Sequence, residues 1–215
     1  MELDELGYGT PTIQNMIIMK TDSFLDAIFP NLTSFTFPKN SSVATKQELN
    51  QIIKMVDSTK KDVETQNRYY LYDRALKKHY FDFIVQKGAN PATFKELIEN
   101  MYADTSPLLM KMKYYFQRPR PYQLSFYYKL KLTSFRSYSA DSPSFPSGKA
   151  YYSKLLSTVF GNHLPELFTT LQVIHQDICD SRVNMGLNYP SDIDAGIFAA
   201  ENVLKTKEFA TKYHI

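Results

Sequence analysis

The sequence has no tryptophan, a single cysteine and only seven glycines among 215 residues. One cysteine, Cys179, excludes an internal disulfide and a cysteine metal site, and we expect it to pack as a small apolar side chain. No stretch approaches about 18 unbroken apolar residues, the rough minimum for a membrane-spanning helix. The N-terminus begins with acidic residues and lacks a basic segment leading into an apolar one, so no secretory signal is predicted.

Internal repeats, low-complexity tracts and Gly/Ser linkers are also missing, and 215 residues suit one domain. With 43% hydrophobic and 22% charged residues, the composition is typical of a soluble globular protein. We expect a main domain over residues 29–206, an N-terminal extension over residues 1–28 and a C-terminal tail over residues 207–215. Because no secretory signal is predicted, a cytoplasmic location is compatible with the sequence. A viral origin is also compatible with it, since the chain is rich in Lys, Asn, Tyr and Phe and has few glycines.

Acidic residues are missing from one long segment, residues 111–136, although the formal net charge of the chain is only +3. So mild a charge does not by itself indicate nucleic acid. An acid-free segment needs an anionic partner, an acidic surface elsewhere on the fold, or open water. Its charged residues, interleaved with aromatics, are Lys111, Lys113, Arg118, Arg120, Lys129, Lys131 and Arg136.

Helical periodicity dominates, and it predicts a mostly α fold. Thr45 and Glu48 have capping-box spacing before a helix, and a second helical stretch runs from about residue 59 to 87. Further helices are expected from Asn90, from about Thr105 to Arg118 at the latest, and over residues 147–160, 165–185 and 191–205. Between residues 119 and 146 the signals indicate a loop, with a short extended piece at residues 126–132.

Three short motifs carry chemistry. In the first, KMKYYFQRP, Lys111 and Arg118 are seven residues apart, so on a helix they share a face and can close on one anion. In the second, PSFPSGKA, Ser147 and Gly148 stand at a predicted helix start, where free N–H groups and the helix dipole favour an anion. Taken singly, the first motif is better explained by a solvated basic face and the second by an ordinary helix cap.

The third motif is SRVNMGLNYPSDIDAG, in which Arg182 lies near the end of one helix and Asp192 in the first turn of the next. A helix hairpin with a routine arginine and a capping acid would give the same pattern. In combination the three motifs are more specific. Lys-x6-Arg-Pro, then Pro-Ser-Gly, then Ser-Arg with an aspartate ten residues later resembles the superfamily of type-2 phosphatidic acid phosphatases, bacterial class A acid phosphatases and vanadium haloperoxidases.

The similarity is greatest to the soluble class A acid phosphatases and covers about residues 29–205. It implies an all-helical bundle whose helix ends converge on one phosphate pocket. It also implies that Lys111, Arg118 and Arg182 hold the phosphate oxygens, while Ser147 and Gly148 supply hydroxyl and backbone donors.

The chain departs from this family at both catalytic histidines. The resemblance places Lys149 where a histidine would protonate the leaving group, and Asn188 where a histidine would attack phosphorus, with Asp192 as the residue that orients the nucleophile. An amide is neither a nucleophile nor a base, and loss of a covalent nucleophile costs on the order of 10⁶ in rate by the precedent of serine proteases. We interpret Lys149 as a fourth positive charge and Asn188 as a further hydrogen-bonding residue of the anion pocket.

The leading hypothesis is a catalytically inactive, acid-phosphatase-like protein that binds phosphate, a phosphorylated small molecule or another oxyanion, as a binding or structural subunit. The alternative is an active phosphomonoesterase with an altered mechanism. A third hypothesis, nucleic-acid binding by residues 111–136, ranks lowest because the resemblance already assigns Lys111 and Arg118 to the pocket. A haloperoxidase is disfavoured because the vanadium-binding histidine corresponds to Asn188.

The four histidines, His79, His163, His175 and His214, are scattered, and none stands four residues before Asp192. The acids near the motifs are few, so no metal site and no cofactor are predicted. A protein partner or a homo-oligomer remains compatible with the sequence.

Overall fold

Helices and short turns account for the regular structure of residues 2–215, the part of the chain that the computed structural model describes. No strand occurs among these residues, so the expectation of an all-α single domain is confirmed. Short 3-10 turns occupy Leu3–Glu5, Asp26–Ile28 and Pro165–Leu167. The α-helices in chain order are α1 Ile13–Lys20, α2 Phe29–Leu32, α3 Val43–Thr59, α4 Val63–Gln86, α5 Pro91–Phe116, α6 Pro121–Tyr127, α7 Gly148–His163, α8 Phe168–Asn184, α9 Pro190–Leu204 and α10 Lys207–Tyr213.

Helix α7 is the centre of the core and packs against α4, α5, α8 and α9. Its side chains Leu155, Leu156, Val159 and Phe160 have no solvent exposure. Burying an aliphatic or aromatic side chain of this size stabilises the fold by about 1.5–3 kcal/mol. The core therefore fixes the position of the N-terminus of α7, which begins at Gly148.

Helix α5 differs from the sequence prediction of two separate helices, because it runs unbroken over Pro91–Phe116 with Pro107 inside it. A proline in a helix interior removes one helical hydrogen bond and usually kinks or ends the helix. Here Met101 and Leu108, on either side of the proline, are fully buried in the core. Their burial offsets the lost bond, so tertiary packing overrides the local signal.

The segment predicted as a loop contains a short helix, α6, and the extended piece expected at residues 126–132 does not form. Pro121 occupies the first turn of α6, where its missing N–H costs little, and Leu124 is fully buried. With seven residues, α6 is too short to show a helical period. The remainder, residues 128–147, forms one long irregular loop, which we call the α6–α7 loop.

Backbone hydrogen bonds tie the α6–α7 loop to the ends of other helices. The N–H of Phe135 donates to the carbonyl of Met185 at 2.9 Å, just beyond α8. The N–H of Ser144 donates to the carbonyl of Arg118 at 3.0 Å, just beyond α5. The loop therefore lies across the helix ends at one side of the bundle and is fixed at both of its halves.

The two terminal segments pack onto the main domain. Helix α1 lies against α5, and the N–H of Tyr8 donates to the carbonyl of Gln117 at 2.8 Å. At the other end, α10 buries Phe209 and Tyr213. Among the described residues, no helix has both the length and the apolarity needed to cross a membrane.

A close approach of α9 to α7 generates a stability prediction. A Cβ on Gly196 would lie 2.5 Å from the backbone oxygen of Ser147, whereas a Cβ on Gly161 would lie 2.5 Å from the ring of Phe168, which is 46% exposed and can move. We expect Gly196→Ala to lower the free energy of unfolding by about 1–3 kcal/mol, and Gly161→Ala to lower it less. Urea denaturation of both variants tests this, and equal costs would contradict the tight α7–α9 contact.

Candidate functional site

A cavity of about 140 Å³ opens at the side of the bundle where the α6–α7 loop lies, and four basic side chains share its wall. Its volume is sufficient for several water molecules or one small anion. The wall is formed by Tyr102, Leu109, Met110, Lys113, Arg120, Ser139, Asp141, Ser142, Gly148, Lys149, Tyr152, Arg182 and Asn188. Four of the residues predicted from the sequence to bind the anion therefore line the same cavity: Gly148, Lys149, Arg182 and Asn188.

Arg182 and Lys149 both contact Asp73, which lies in α4. Nη1 of Arg182 donates to Oδ1 of Asp73 at 2.8 Å, and both side chains are almost completely buried. Nζ of Lys149 donates to the backbone oxygen of Asp73 at 2.8 Å. That oxygen is next to a break in α4, where Ala75 leaves the helical conformation with φ −139°. Asp73 therefore positions two of the four cations.

Lys113 and Arg120 are held by backbone oxygens of the α6–α7 loop. Nζ of Lys113 donates to the carbonyls of Pro143 and Pro146, both at 2.7 Å. Arg120 donates from Nε and Nη2 to the carbonyl of Ser142, at 2.9 and 2.7 Å. Among residues 2–215, the hydrogen-bond partners of these two cations are all neutral, and both side chains are buried.

The electrostatics of the cavity reflect burial and mutual repulsion among the four cations. Burial, and then the charge of Arg120, hold the pKa of Lys113 well below its ordinary value. Burial, and then Arg182, lower the pKa of Lys149 to about 7 and that of Arg120 to about 10. Burial also lowers the pKa of Arg182, while Asp73 opposes that shift. An anion bound among these groups would favour their charged forms.

Asn188 links the cavity to Asp192, as the motif spacing leads one to expect. Its Nδ2 donates to Oδ2 of Asp192 at 3.2 Å and to the carbonyl of Ser144 at 2.7 Å. Its Oδ1 accepts from Nη1 of Arg120 at 3.3 Å and from Nε of Arg182 at 3.5 Å. The side-chain amide of Asn188 thus lies between the Asp192 carboxylate, to which its nitrogen donates, and the two guanidinium groups, from which its oxygen accepts.

The structure places Lys111 and Arg118 away from the cavity, in contrast to their predicted role as anion ligands. Nζ of Lys111 pairs with Asp26 at 2.7 Å. Arg118 is fully buried and pairs with Asp192 at 2.7 Å and with Glu48 at 3.0 Å. Both cations are therefore already neutralised by carboxylates, and neither lines the cavity.

A second, overlapping Lys-x6-Arg-Pro pattern explains the difference. Lys113 and Arg120, followed by Pro121, have the same spacing as Lys111 and Arg118, and this pair lines the cavity. A shift of two residues turns a helical side chain by about 200°, so the two lysines lie on opposite faces of α5. The spacing alone could not choose between the two registers, but the repeated pattern was a signal for both.

Two residues of the Pro-Ser-Gly motif, Ser147 and Gly148, were predicted to bind the anion, and of these Gly148 lines the cavity while Ser147 does not. A Cβ on Gly148 would lie 3.4 Å from a methyl group of Leu109, an ordinary van der Waals contact, so packing alone does not require glycine there. Ser147 is fully buried and its Oγ caps α7 by accepting from the N–H of Ala150 at 3.4 Å. The serine therefore has the helix-capping role that was the simpler interpretation of its motif.

The capping box predicted at Thr45 and Glu48 does not form. Glu48 instead pairs with Arg118, and Ser42 caps α3.

No histidine is among the residues that line the cavity, and His175 is buried against Ser153 at 2.8 Å elsewhere in the core. No group of metal-binding side chains is found among residues 2–215.

The charge of Asp73 generates a prediction for acid stability. Burial alone would raise its pKa, but Arg182 and hydrogen bonds from Tyr138 and Ser137 lower the pKa from 3.8 to about 2. A carboxyl whose pKa is lowered in the folded state stabilises the fold above its unfolded pKa and loses that contribution as the pH falls. The contribution is about 2 kcal/mol.

We expect Asp73→Asn to lower the free energy of unfolding by at least about 2 kcal/mol near neutral pH, and this difference from wild type to shrink between pH 4 and pH 2. Denaturant titrations at several pH values measure it. Ser137→Ala, which removes one hydrogen bond to Asp73 and keeps the carboxylate, should retain the acid-induced loss. Wild-type and Asp73→Asn stabilities that fall in parallel down to pH 2 would contradict the ion pair.

No model of a known protein family matches this chain, and no curated protein matches it. The similarity to the acid phosphatase superfamily therefore depends on three short motifs. The strongest feature of the molecule for inferring a function is the cavity itself, with four cations, a glycine and an asparagine in its wall.

Proposed function

We propose that this chain is a noncatalytic oxyanion-binding protein of the acid phosphatase type, which binds phosphate, a phosphorylated small molecule or a similar oxyanion as a binding or structural subunit. The observation that carries the proposal is the imbalance of charge around the cavity. Among the described residues, a carboxylate lies within ion-pair distance of one of the four cations, Arg182. Desolvating the other three without a counter-ion is costly, and an anion in the cavity would offset that cost.

The side chains also retain donors for such an anion. An ammonium group has three donors and a guanidinium has five. In the described part of the chain, Lys149 has one hydrogen-bond partner and Nη2 of Arg182 has none. Gly148 adds the N-terminus of a sixteen-residue helix, where the dipole favours negative charge.

A functioning phosphomonoesterase is the second candidate, and the pKa of Lys149 is the observation in its favour. A pKa of about 7 suits a general acid that protonates a leaving group near neutral pH. The cavity lacks a matching nucleophile, since Asn188 cannot attack phosphorus. Ser139 is the other nucleophile to consider, because its Oγ donates to Asp73 at 2.8 Å and Asp73 would have to act as its base. A carboxylate whose pKa is about 2 is too weak a base for that role. The noncatalytic function is therefore favoured.

Phosphate binding tests the proposal. Isothermal titration calorimetry should detect phosphate binding to wild type, and Lys149→Met should weaken it at least about tenfold, since a charge-assisted hydrogen bond contributes about 1.5–3 kcal/mol. The wild-type advantage should be larger at pH 6 than at pH 9, because Lys149 loses its charge as the pH rises through its pKa of about 7. Lys154→Met is the matched control, since Lys154 lies in α7 and pairs with Glu201.

Phosphate binding that is absent in wild type, or equal in wild type and Lys149→Met, would contradict the proposal. A wild-type turnover of an aryl phosphate that Lys149→Met abolishes would instead favour the phosphomonoesterase.

Restoring both histidines tests the reason for inactivity. We expect the double variant Lys149→His with Asn188→His to gain measurable hydrolysis of an aryl phosphate, because a histidine at residue 188 would lie beside Asp192. Each single variant should stay at background, since each still lacks either the nucleophile or the general acid. A folded double variant that binds phosphate and shows no hydrolysis would refute the idea that these two residues alone account for the loss.

A further inference from the structure

The cavity wall also contains hydrogen-bond acceptors, which an unselective anion site would not need. Asp141 and Ser139, both in the α6–α7 loop, line the same cavity as the four cations. Placing a carboxylate in the wall of an anion site weakens the binding of any anion that it repels. Asp141 is also exposed to solvent, so its carboxylate is accessible to a ligand, and a ligand that donates a hydrogen bond to it turns the repulsion into an attraction.

Ser139 is an acceptor toward the cavity because its proton is already committed. Its Oγ donates to Oδ1 of Asp73 at 2.8 Å, and a hydroxyl has one proton and two lone pairs. Asp73 cannot return a proton, because Arg182, Ser137 and the N–H of Tyr138 also donate to it at 2.6–2.8 Å. This network keeps the carboxylate of Asp73 ionised and the Ser139 lone pairs free.

Asp141 is fixed at the cavity by its backbone. Its carbonyl accepts from Nδ2 of Asn15 at 3.4 Å, and the carbonyl of its neighbour Ser142 holds Arg120. Among residues 2–215, no hydrogen bond or ion pair engages the carboxylate of Asp141. An ionised carboxylate accepts hydrogen bonds and donates none.

We propose that the cavity selects oxyanions that carry a proton, such as phosphate and arsenate, over fully ionised ones such as sulfate, with Asp141 and Ser139 as the residues that determine this specificity. The inference depends on the proposed oxyanion-binding function. Phosphate near neutral pH has a P–OH group that can donate to either acceptor. Sulfate has the same shape and no proton, so it is repelled by the Asp141 carboxylate and has no hydrogen bond to offset that repulsion.

Calorimetry with phosphate, arsenate and sulfate near pH 7.5, at one ionic strength, tests the selectivity. We expect wild type to bind phosphate and arsenate at least about tenfold more tightly than sulfate, the ratio that one charge-assisted hydrogen bond, made with phosphate and missing with sulfate, typically produces. Asp141→Asn should reduce that ratio by about tenfold, mainly by improving sulfate binding, because the amide can also donate.

The chain offers a matched control for each acceptor. Asp194→Asn removes the same charge from an exposed position on α9 that does not line the cavity, and it should leave the ratio unchanged. Ser139→Ala should lower the ratio, whereas Ser137→Ala, which removes an equivalent 2.8 Å bond to Asp73 outside the cavity wall, should not.

The outcomes separate this inference from the proposed function. Equal binding of phosphate and sulfate to wild type, or a ratio that Asp141→Asn leaves intact, would overturn the selectivity while leaving oxyanion binding in place. Failure of all three anions to bind folded wild-type protein would overturn the proposed function, and the selectivity with it.

Discussion

Four basic side chains share the wall of one cavity, and each makes the charged state of the others less favourable. The fold offsets this repulsion mostly with neutral groups. Carbonyls of the α6–α7 loop hold Lys113 and Arg120, and a carbonyl beside the break in α4 holds Lys149. One carboxylate, that of Asp73, pairs with Arg182. The loop conformation and the break in α4 therefore both serve to keep cations close together, an arrangement that an anion would complete.

A separate network preserves the geometry around Asn188. Asp192 pairs with Arg118, which lies over the ring of Tyr189 with its charge 3.8 Å from the centroid. The same carboxylate accepts from the Asn188 amide. Such a buried pair is costly to break, by about 3–5 kcal/mol when one partner is removed. This network has a structural reason that does not require catalysis, so the presence of Asp192 is compatible with an inactive protein.

The sequence predicted the helical architecture well, because hydrophobic periodicity and caps are local signals. Through their motif context it grouped Gly148, Lys149, Arg182 and Asn188, which all line the cavity. For the two cations from α5 and its end, the sequence analysis selected Lys111 and Arg118, whereas Lys113 and Arg120 line the cavity. The two pairs have identical spacing, and only the packing of α5 decides which of them faces the cavity. The position of Asp73 could not be predicted, because its contact with Arg182 joins residues 109 positions apart.

The most direct test of the account is a crystal structure of the chain grown with phosphate. It should have tetrahedral density in the cavity, within hydrogen-bond distance of Lys149 and Arg182, with Lys113 and Arg120 close enough to contribute charge. An empty cavity at saturating phosphate, or an anion bound at Lys111 and Arg118 instead, would contradict it.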